Sequence, residues 1–134
     1  MNINELSKSK NTLGPGEWFT GTVWMEQLGI VPTPSPTKVI RVTFAPGART
    51  AWHTHPLGQV LHIVDGVARI GREGEPVREL HPGDSVQFEP GELHWHGAGP
   101  DRLMSHIAVQ AIDQKVGTET QWQGHVDDAA YGGS

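Results

Sequence analysis

The stretch that decides the fold is residues 47–66, which read GARTAWHTHPLGQVLHIVDG. His53 and His55 are separated by one residue, and Gln59 follows after the turn-like Pro56-Leu57-Gly58. Residues two apart on a β-strand point to the same face, about 7 Å apart, so the two imidazoles can aim at one point. The break before Gln59 would let the next strand start beside the first. The stretch therefore predicts β-structure on which three possible metal ligands converge.

Short β-branched runs separated by turns continue on both sides of this stretch. The predicted strands are Val23 to Leu28, Lys38 to Phe44, Gln59 to Val64, Val67 to Ile70, Ser85 to Phe88 and Leu103 to Ile112. Periodicity alone would also allow a short buried helix for the last of these, and its place after the hairpin-like units favours a strand. Asp65-Gly66 predicts a tight hairpin between the third and fourth of these strands. Thr120 to Tyr131 is either a short helix or an extended tail, and Tyr131 to Ser134 is treated as a frayed end. No segment shows a long helical stripe, so we expect an all-β single domain, a sandwich or a barrel.

Composition excludes several classes of partner. The chain has 134 residues, a formal charge of −5, 17 Gly, 10 Pro and no Cys. The negative charge gives no footprint for nucleic acid or for an anionic membrane surface. Without Cys, a metal must be held by His, carboxylate, amide or water. No stretch approaches the roughly 20 apolar residues that span a bilayer, and we expect a soluble, cytoplasmic protein.

A fourth ligand, His94, follows the turn Pro90-Gly91 at the head of another strand. Imidazole and amide oxygen together suit Mn, Fe, Co, Ni or Zn. The pair His53 and His55 alone is equally typical of two exposed polar residues. The remaining histidines His62, His81 and His125 are expected at the surface and receive no role.

The spacing around these ligands resembles the cupin superfamily. Gly47, five residues, His53-X-His55, three residues, Gln59, six residues and Gly66 reproduce the first cupin motif, with Gln in the Glu position. The second motif is matched at Gly83, Gly91 and His94, but Glu89 replaces its Pro and Ala98 its final Asn. The resemblance implies a double-stranded β-helix, or jelly-roll barrel. We expect one cupin domain over 1–134, with the barrel core at 38–112, an N-terminal arm at 1–37 and a C-terminal tail at 113–134.

Gln59 affects the chemistry that is expected at such a site. Three His and a Glu leave a divalent site with a net charge of about +1, whereas Gln59 leaves about +2 and stabilises a trivalent ion less well. Lewis-acid chemistry is therefore favoured over one-electron oxygen chemistry. The acid/base candidates are His106, then His96, with Gln110 on the same strand face as His106. For both histidines the alternative is a core imidazole satisfied by one partner.

Alternation also predicts an apolar lining around the metal. The expected pocket residues are Ile40, Val42, Phe44, Leu61 and Ala108. Such a pocket favours a small, partly hydrophobic or aromatic substrate over a sugar phosphate. Ordinary core packing would explain the same residues at least as well.

Several segments resemble the bacterial cupin-type (R)-selective hydroxynitrile lyases: Gly14-Pro15 with Trp18 to Val23, Phe44 to Gln59, and Pro90 to Ala98 with the tail around Trp122 and Tyr131. The resemblance implies manganese or a similar divalent ion on His53, His55, Gln59 and His94. It also implies cleavage of an aromatic or apolar cyanohydrin such as mandelonitrile to an aldehyde and cyanide, with proton movement at His106. A homodimer or homotetramer is expected. The alternatives are a metal-dependent cupin oxygenase and a small-molecule-binding cupin without catalysis.

Overall fold

Short β-strands are the main regular structure of the chain. The computed structural model describes residues 1–32, 34–115 and 117–133, and over these residues it has thirteen strands, one 3-10 turn and one α-helix. The strands are β1 Thr12–Leu13, β2 Phe19–Thr20, β3 Val23–Val31, β4 Thr37–Phe44, β5 Arg49–Thr50, β6 His53–Thr54, β7 Gln59–Gly66, β8 Ala68–Arg72, β9 Arg78–Leu80, β10 Ser85–Phe88, β11 His94–Ala98, β12 Met104–Ala111 and β13 Gln121–Trp122. The helix α1 is Asp128–Gly132, and the 3-10 turn is Leu6–Lys8. The all-β prediction is confirmed.

The strands form two antiparallel sheets with the core between them. The first has the order β1-β3-β4-β12-β7-β10, and the second has the order β13-β6-β11-β5-β2 with β8 and β9 added beside β11. In β4 the side chains of Ile40, Val42 and Phe44 are buried, whereas the intervening Arg41 is exposed. This period of two places one face of each strand in the core. Neighbouring β12 repeats the pattern with Ala108 and Gln110 inward.

The predicted hairpin at Asp65-Gly66 is wrong. β7 pairs with β10 and β12, whereas β8 pairs with β9 and β11, so the two strands belong to different sheets. Gly66 has φ +77°, and a Cβ there would collide with the carbonyl of Leu103. The glycine therefore serves a close backbone approach where the chain crosses between sheets, not the two-residue turn that its sequence context suggests.

The C-terminal region combines both structures that were left open for it. Gln121–Trp122 pairs with β6, and α1 follows with Asp127 as its N-cap. Tyr131 is anchored, because its hydroxyl donates to the Ala98 carbonyl at 2.7 Å and its ring lies against the guanidinium groups of Arg49 and Arg69. The prediction of a frayed end is wrong for Tyr131; Ser134 lies outside the described residues.

The arm and the tail both add strands to the sheets. β3 pairs with β4 along its length, and β13 pairs with β6. The exact limits of core, arm and tail stay a prediction. Within the described ranges, no helix has the length and apolar character needed to cross a bilayer.

Candidate metal centre

The four predicted ligands come together between the two sheets. β11 pairs with β6 so that His94 lies opposite His53, and their ring centroids are 4.3 Å apart. His55 follows directly after β6, with its ring centroid 5.0 Å from that of His53. Gln59 opens β7 in the other sheet, and its Oε1 is 3.4 Å from Nε2 of His94. All four side chains are buried.

Backbone carbonyls fix the tautomer of the three imidazoles. The bonds run from His53 Nδ1 to Ala51 O at 2.8 Å, from His55 Nδ1 to Glu119 O at 2.6 Å and from His94 Nδ1 to Glu92 O at 2.9 Å. Because a carbonyl only accepts, each Nδ1 carries the proton and each Nε2 keeps a lone pair. This arrangement is typical of histidines that bind a metal through Nε2.

The donor set fits a divalent cation. Gln59 donates from Nε2 to Oε1 of Gln110 at 2.6 Å, which turns its own Oε1 toward His94. Oε1 of Gln59 and Nε2 of His94 are then two lone-pair acceptors only 3.4 Å apart. Such a pair is unfavourable unless a cation lies between them. In addition, Nε2 of His55 is buried and has no hydrogen-bond partner within the described chain.

The histidines are held neutral, which is the form that binds metals. Burial, followed by the neighbouring imidazoles of His94 and His55, holds the pKa of His53 well below its ordinary value. Burial lowers the pKa of His94 to about 3. Burial also lowers the pKa of His55, although the carbonyl and the charge of Glu119 act in the opposite direction. Metal binding at neutral pH therefore need not displace protons from imidazolium ions.

A second grouping of nitrogens overlaps with the predicted one. Candidate ligand atoms of His53, His94 and His96 lie within 4.8 Å of one another, and His55 is outside this group. A three-histidine site suggests a divalent metal in either case. We favour His55 over His96 as the third histidine ligand. Nδ1 of His55 donates to a backbone carbonyl, as Nδ1 of His53 and of His94 does, whereas Nδ1 of His96 lies 3.0 Å from Nε2 of His106.

His96 and His106 form a buried hydrogen-bonded pair beside this group. Nε2 of His106 lies 3.0 Å from Nδ1 of His96, so one ring donates and the other accepts. Nε2 of His96 and Nδ1 of His106 are buried without a partner among the residues that the structure describes. Burial lowers the pKa of His106 to about 4. Burial, followed by the neighbouring imidazole of His106, holds the pKa of His96 well below its ordinary value. Burial therefore favours the neutral form of both rings.

A cavity of about 200 Å³ lies against these side chains. Its polar wall contains His53, His55, Gln59, His96, His106 and Gln110. Its apolar wall contains Trp18, Phe19, Met25, Ile40, Val42 and Trp122. Trp18 and Trp122 are stacked with ring centroids 5.1 Å apart. The cavity suits a small molecule that has a flat or apolar part and one polar reacting group.

The structure places the predicted pocket residues at two depths. Ile40, Val42 and Ala108 line the cavity. Phe44 and Leu61 are fully buried in the core and do not line it. Phe44 supports the site from behind, with its ring centroid 5.4 Å from that of His106. Alternation along a strand identifies the inner face, but not which inner residues are covered by others.

Sequence reasoning assigned no pocket role to the residues that come from the arm and the tail. Trp18 and Phe19 approach from the arm, and Glu119 and Trp122 approach from the tail. Trp122 lies 4.8 Å from the His53 ring, centroid to centroid. The signal that could have found them is the similarity of Trp18 and Trp122 to known family segments. Lys38, which also lines the cavity, carried no signal beyond its place at the head of a strand.

Comparisons with known proteins agree with this fold. A cupin-domain family profile matches residues 40–107. The chain is 47% identical over 131 residues, 98% of each chain, to an (R)-mandelonitrile lyase of Granulicella tundricola. A cupin-like protein of Thermotoga maritima superposes with a TM-score of 0.82 at 35% identity, covering 96% of this chain and 95% of that one. The polyketide cyclase RemF of Streptomyces resistomycificus, at 14% identity and a TM-score of 0.76 over 98% and 90% of the two chains, shares the fold alone.

Proposed function

Because this chain belongs to the cupin family, we propose that it is a metal-dependent lyase that cleaves cyanohydrins to an aldehyde and cyanide and catalyses the reverse addition. The lyase class rests on the 47% identity over nearly all of both chains to a curated lyase. The name of that relative, (R)-mandelonitrile lyase, supports an aromatic cyanohydrin as substrate. The physiological substrate is a separate question, since one fold supports many reactions.

We propose that His53, His55, Gln59 and His94 hold this metal. One observation carries the proposal: Oε1 of Gln59 lies 3.4 Å from Nε2 of His94, beside a cavity that is lined by His53, His55, Gln59 and the His96–His106 pair. A divalent metal held there would act as a Lewis acid and stabilise negative charge that develops on a substrate oxygen. Because Gln59 is neutral, the four ligands cancel none of the metal's charge. We infer Mn²⁺ as the metal, with Fe²⁺, Ni²⁺, Co²⁺ and Zn²⁺ as the other ions that this donor set accepts.

The histidine pair supplies the proton chemistry. In cleavage, the bond between the carbinol carbon and the nitrile carbon breaks, its electron pair leaves with cyanide, and the hydroxyl proton must reach that cyanide. When Nε2–H of His106 donates to Nδ1 of His96, Nδ1 of His106 carries a lone pair that can accept the hydroxyl proton. In the same tautomer His96 presents Nε2–H as a donor to the departing cyanide. Gln110 takes no part in the proton transfer; its Oε1 accepts a hydrogen bond from Gln59 and so orients the amide of that residue.

The apolar wall positions the rest of the substrate. Phe19, Trp122 and the stacked Trp18 offer flat faces, and Ile40 and Val42 add aliphatic surface to the same cavity. An aromatic ring gains about 0.5–1.5 kcal/mol from a well-placed aromatic partner beyond the area that it buries. A benzaldehyde-type product therefore fits this wall better than a polyhydroxylated one.

The chain also has features that support assembly with copies of itself. Val60 and Val109 are adjacent in register on the outer face of the first sheet, and each is 38% exposed. We infer a homodimer or homotetramer, in which such apolar positions would be covered. A cytoplasmic location stays a prediction.

The test measures metal content and cyanide release together. Protein purified without added metal is analysed for its elements, and cyanide release from (R)-mandelonitrile is followed before chelation, after chelation and after Mn²⁺ is restored. We expect loss and recovery of activity with the metal. His106→Ala with full metal content should release cyanide at least 100-fold more slowly. Activity that survives complete metal removal would disprove the Lewis-acid role, and oxygen consumption by an Fe²⁺-loaded sample would favour an oxygenase.

A further inference from the structure

His55 differs from the other two histidine ligands in how its ring is held. The carbonyls that orient His53 and His94 lie two residues before them, so both bonds are set by the local backbone. The carbonyl that orients His55 belongs to Glu119, 64 residues away. We call residues 117–122 the wall segment. The orientation of His55 therefore depends on where this segment lies.

The residue that provides this carbonyl is itself anchored by its side chain. Oε1 of Glu119 lies 3.1 Å from Nζ of Lys38 on β4, and the two side chains are only 21% and 25% exposed. For comparison, the ion pair of Lys8 and Glu5 is 79% and 54% exposed. Partly buried pairs are screened less by water and salt than exposed ones. This pair thus ties the wall segment to the first sheet.

The rest of the wall segment is hydrogen-bonded internally and attached at its far end. The Thr118 hydroxyl donates to the Thr120 carbonyl at 3.0 Å, and Thr120 N–H donates back to that hydroxyl at 3.2 Å. Gln121 and Trp122 pair with β6 in the second sheet. Because the segment bridges the two sheets, a shift at Glu119 is transmitted to the Nδ1 bond of His55, not absorbed by a flexible loop.

We propose that the Lys38–Glu119 ion pair is a positioning pair for the metal site: it seats the wall segment so that the Glu119 carbonyl holds His55 with Nε2 toward His53 and His94. The inference rests on the proposed function only in taking His55 as a ligand. Lys38 and Glu119 both line the cavity, but neither is a metal ligand in this arrangement. Both act through the ring of His55.

Charge and position make opposite predictions for Lys38→Met. Removing a positive charge beside the cavity should strengthen the binding of a divalent cation if only electrostatics matters. If the pair positions His55, the same change should weaken binding, because outer-shell partners of a ligand are worth about 10–100-fold in metal affinity. The direction of the change therefore separates the two explanations.

Glu92 provides a matched control for Glu119. Its carbonyl also accepts a bond from a histidine Nδ1, that of His94, and its Oε1 lies 2.8 Å from Nη1 of Arg72. The His94 bond, however, is local, because Glu92 lies only two residues before His94 in the chain. Glu92→Gln and Glu119→Gln remove the same charge and keep the same carbonyl. We expect less than a threefold change in affinity from the first and a 10–100-fold loss from the second.

The experiment measures Mn²⁺ affinity by chelator competition in the full chain, so it does not depend on any cyanohydrin activity. The variants are Lys38→Met, Glu119→Gln, Glu92→Gln and the charge swap Lys38→Glu with Glu119→Lys, which should restore affinity to within threefold. In the metal-free protein, ¹⁵N-histidine spectra should show faster solvent exchange of the His55 Nδ1 proton in the single variants at positions 38 and 119, with His53 and His94 unchanged.

Unchanged or tighter Mn²⁺ binding in Lys38→Met would overturn the proposal. So would an equal loss in Glu92→Gln, or a swap that fails to restore affinity.

Discussion

Acidification of the metal-free protein should unfold it steeply, because five imidazoles are buried in their neutral form. These are His53, His55, His94, His96 and His106, and burial is the first cause of the lowered pKa in each. In the unfolded chain each ring titrates near 6.5. As the pH falls below that value, the unfolded state takes up protons that the folded state refuses, so stability is present above about pH 6.5 and is lost on the way down to the folded pKa.

The size of the effect follows from the linkage relation. At pH 5.5, one unit below the unfolded pKa, a histidine that stays neutral in the fold loses about 1.4 kcal/mol of stability. Five such residues lose at most about 7 kcal/mol, which is as large as the whole stability of a typical domain. The metal-free protein should therefore reach its acid unfolding midpoint between about pH 5 and 6, with uptake of up to about five protons.

The assay is urea unfolding of the metal-free protein, followed by Trp fluorescence at pH values from 8 to 5.5. The slope of the unfolding free energy against pH gives the proton uptake directly. His106→Gln should lower this uptake by about one proton. Added Mn²⁺ should raise stability at neutral pH, with a gain that shrinks in acid as protons compete for the ligands. A slope that corresponds to one proton or fewer at pH 5.5 would refute the burial of neutral histidines.

Two further predictions concern single positions. The Gln59→Glu variant should keep Mn²⁺ but cleave mandelonitrile at least tenfold more slowly. The reason is that the carboxylate cancels one positive charge of the metal and has no N–H to donate to Oε1 of Gln110. An unchanged kcat with full metal content would contradict this. Gly66→Ala should cost about 3 kcal/mol or more in urea unfolding, since it combines a positive φ with a collision against the Leu103 carbonyl. Gly74→Ala is the matched control, because Gly74 has φ +78° with open space around it, and it should cost about 1–2 kcal/mol.

The sequence was most informative where local spacing determines geometry. Alternation placed Ile40 and Val42 inward, and the spacing from His53 to Gln59 placed the ligands on elements that meet. It misled at Asp65-Gly66, where a turn signal marks a crossing between sheets. The same dipeptide serves both purposes because glycine meets the demand for positive φ in each.

What the sequence could not supply is contact between residues far apart in the chain. The ion pair of Lys38 with Glu119 joins a strand to the wall segment, and no local pattern encodes it. The anchoring of Tyr131 on Arg49 and Arg69 is of the same kind. Pairwise contacts of this type depend on the packed fold, which is why the tail looked like a frayed end.

The stack of Trp18 on Trp122 has a consequence for the order of events during synthesis. One indole is made early and the other late, so the nascent chain exposes the metal-binding histidines before the cavity has its second aromatic face. His55 also lacks its carbonyl partner until Glu119 has left the ribosome. We therefore expect ordered metal capture only once the wall segment has paired with β6, and a fragment that ends before Glu119 should bind Mn²⁺ more weakly than the full chain.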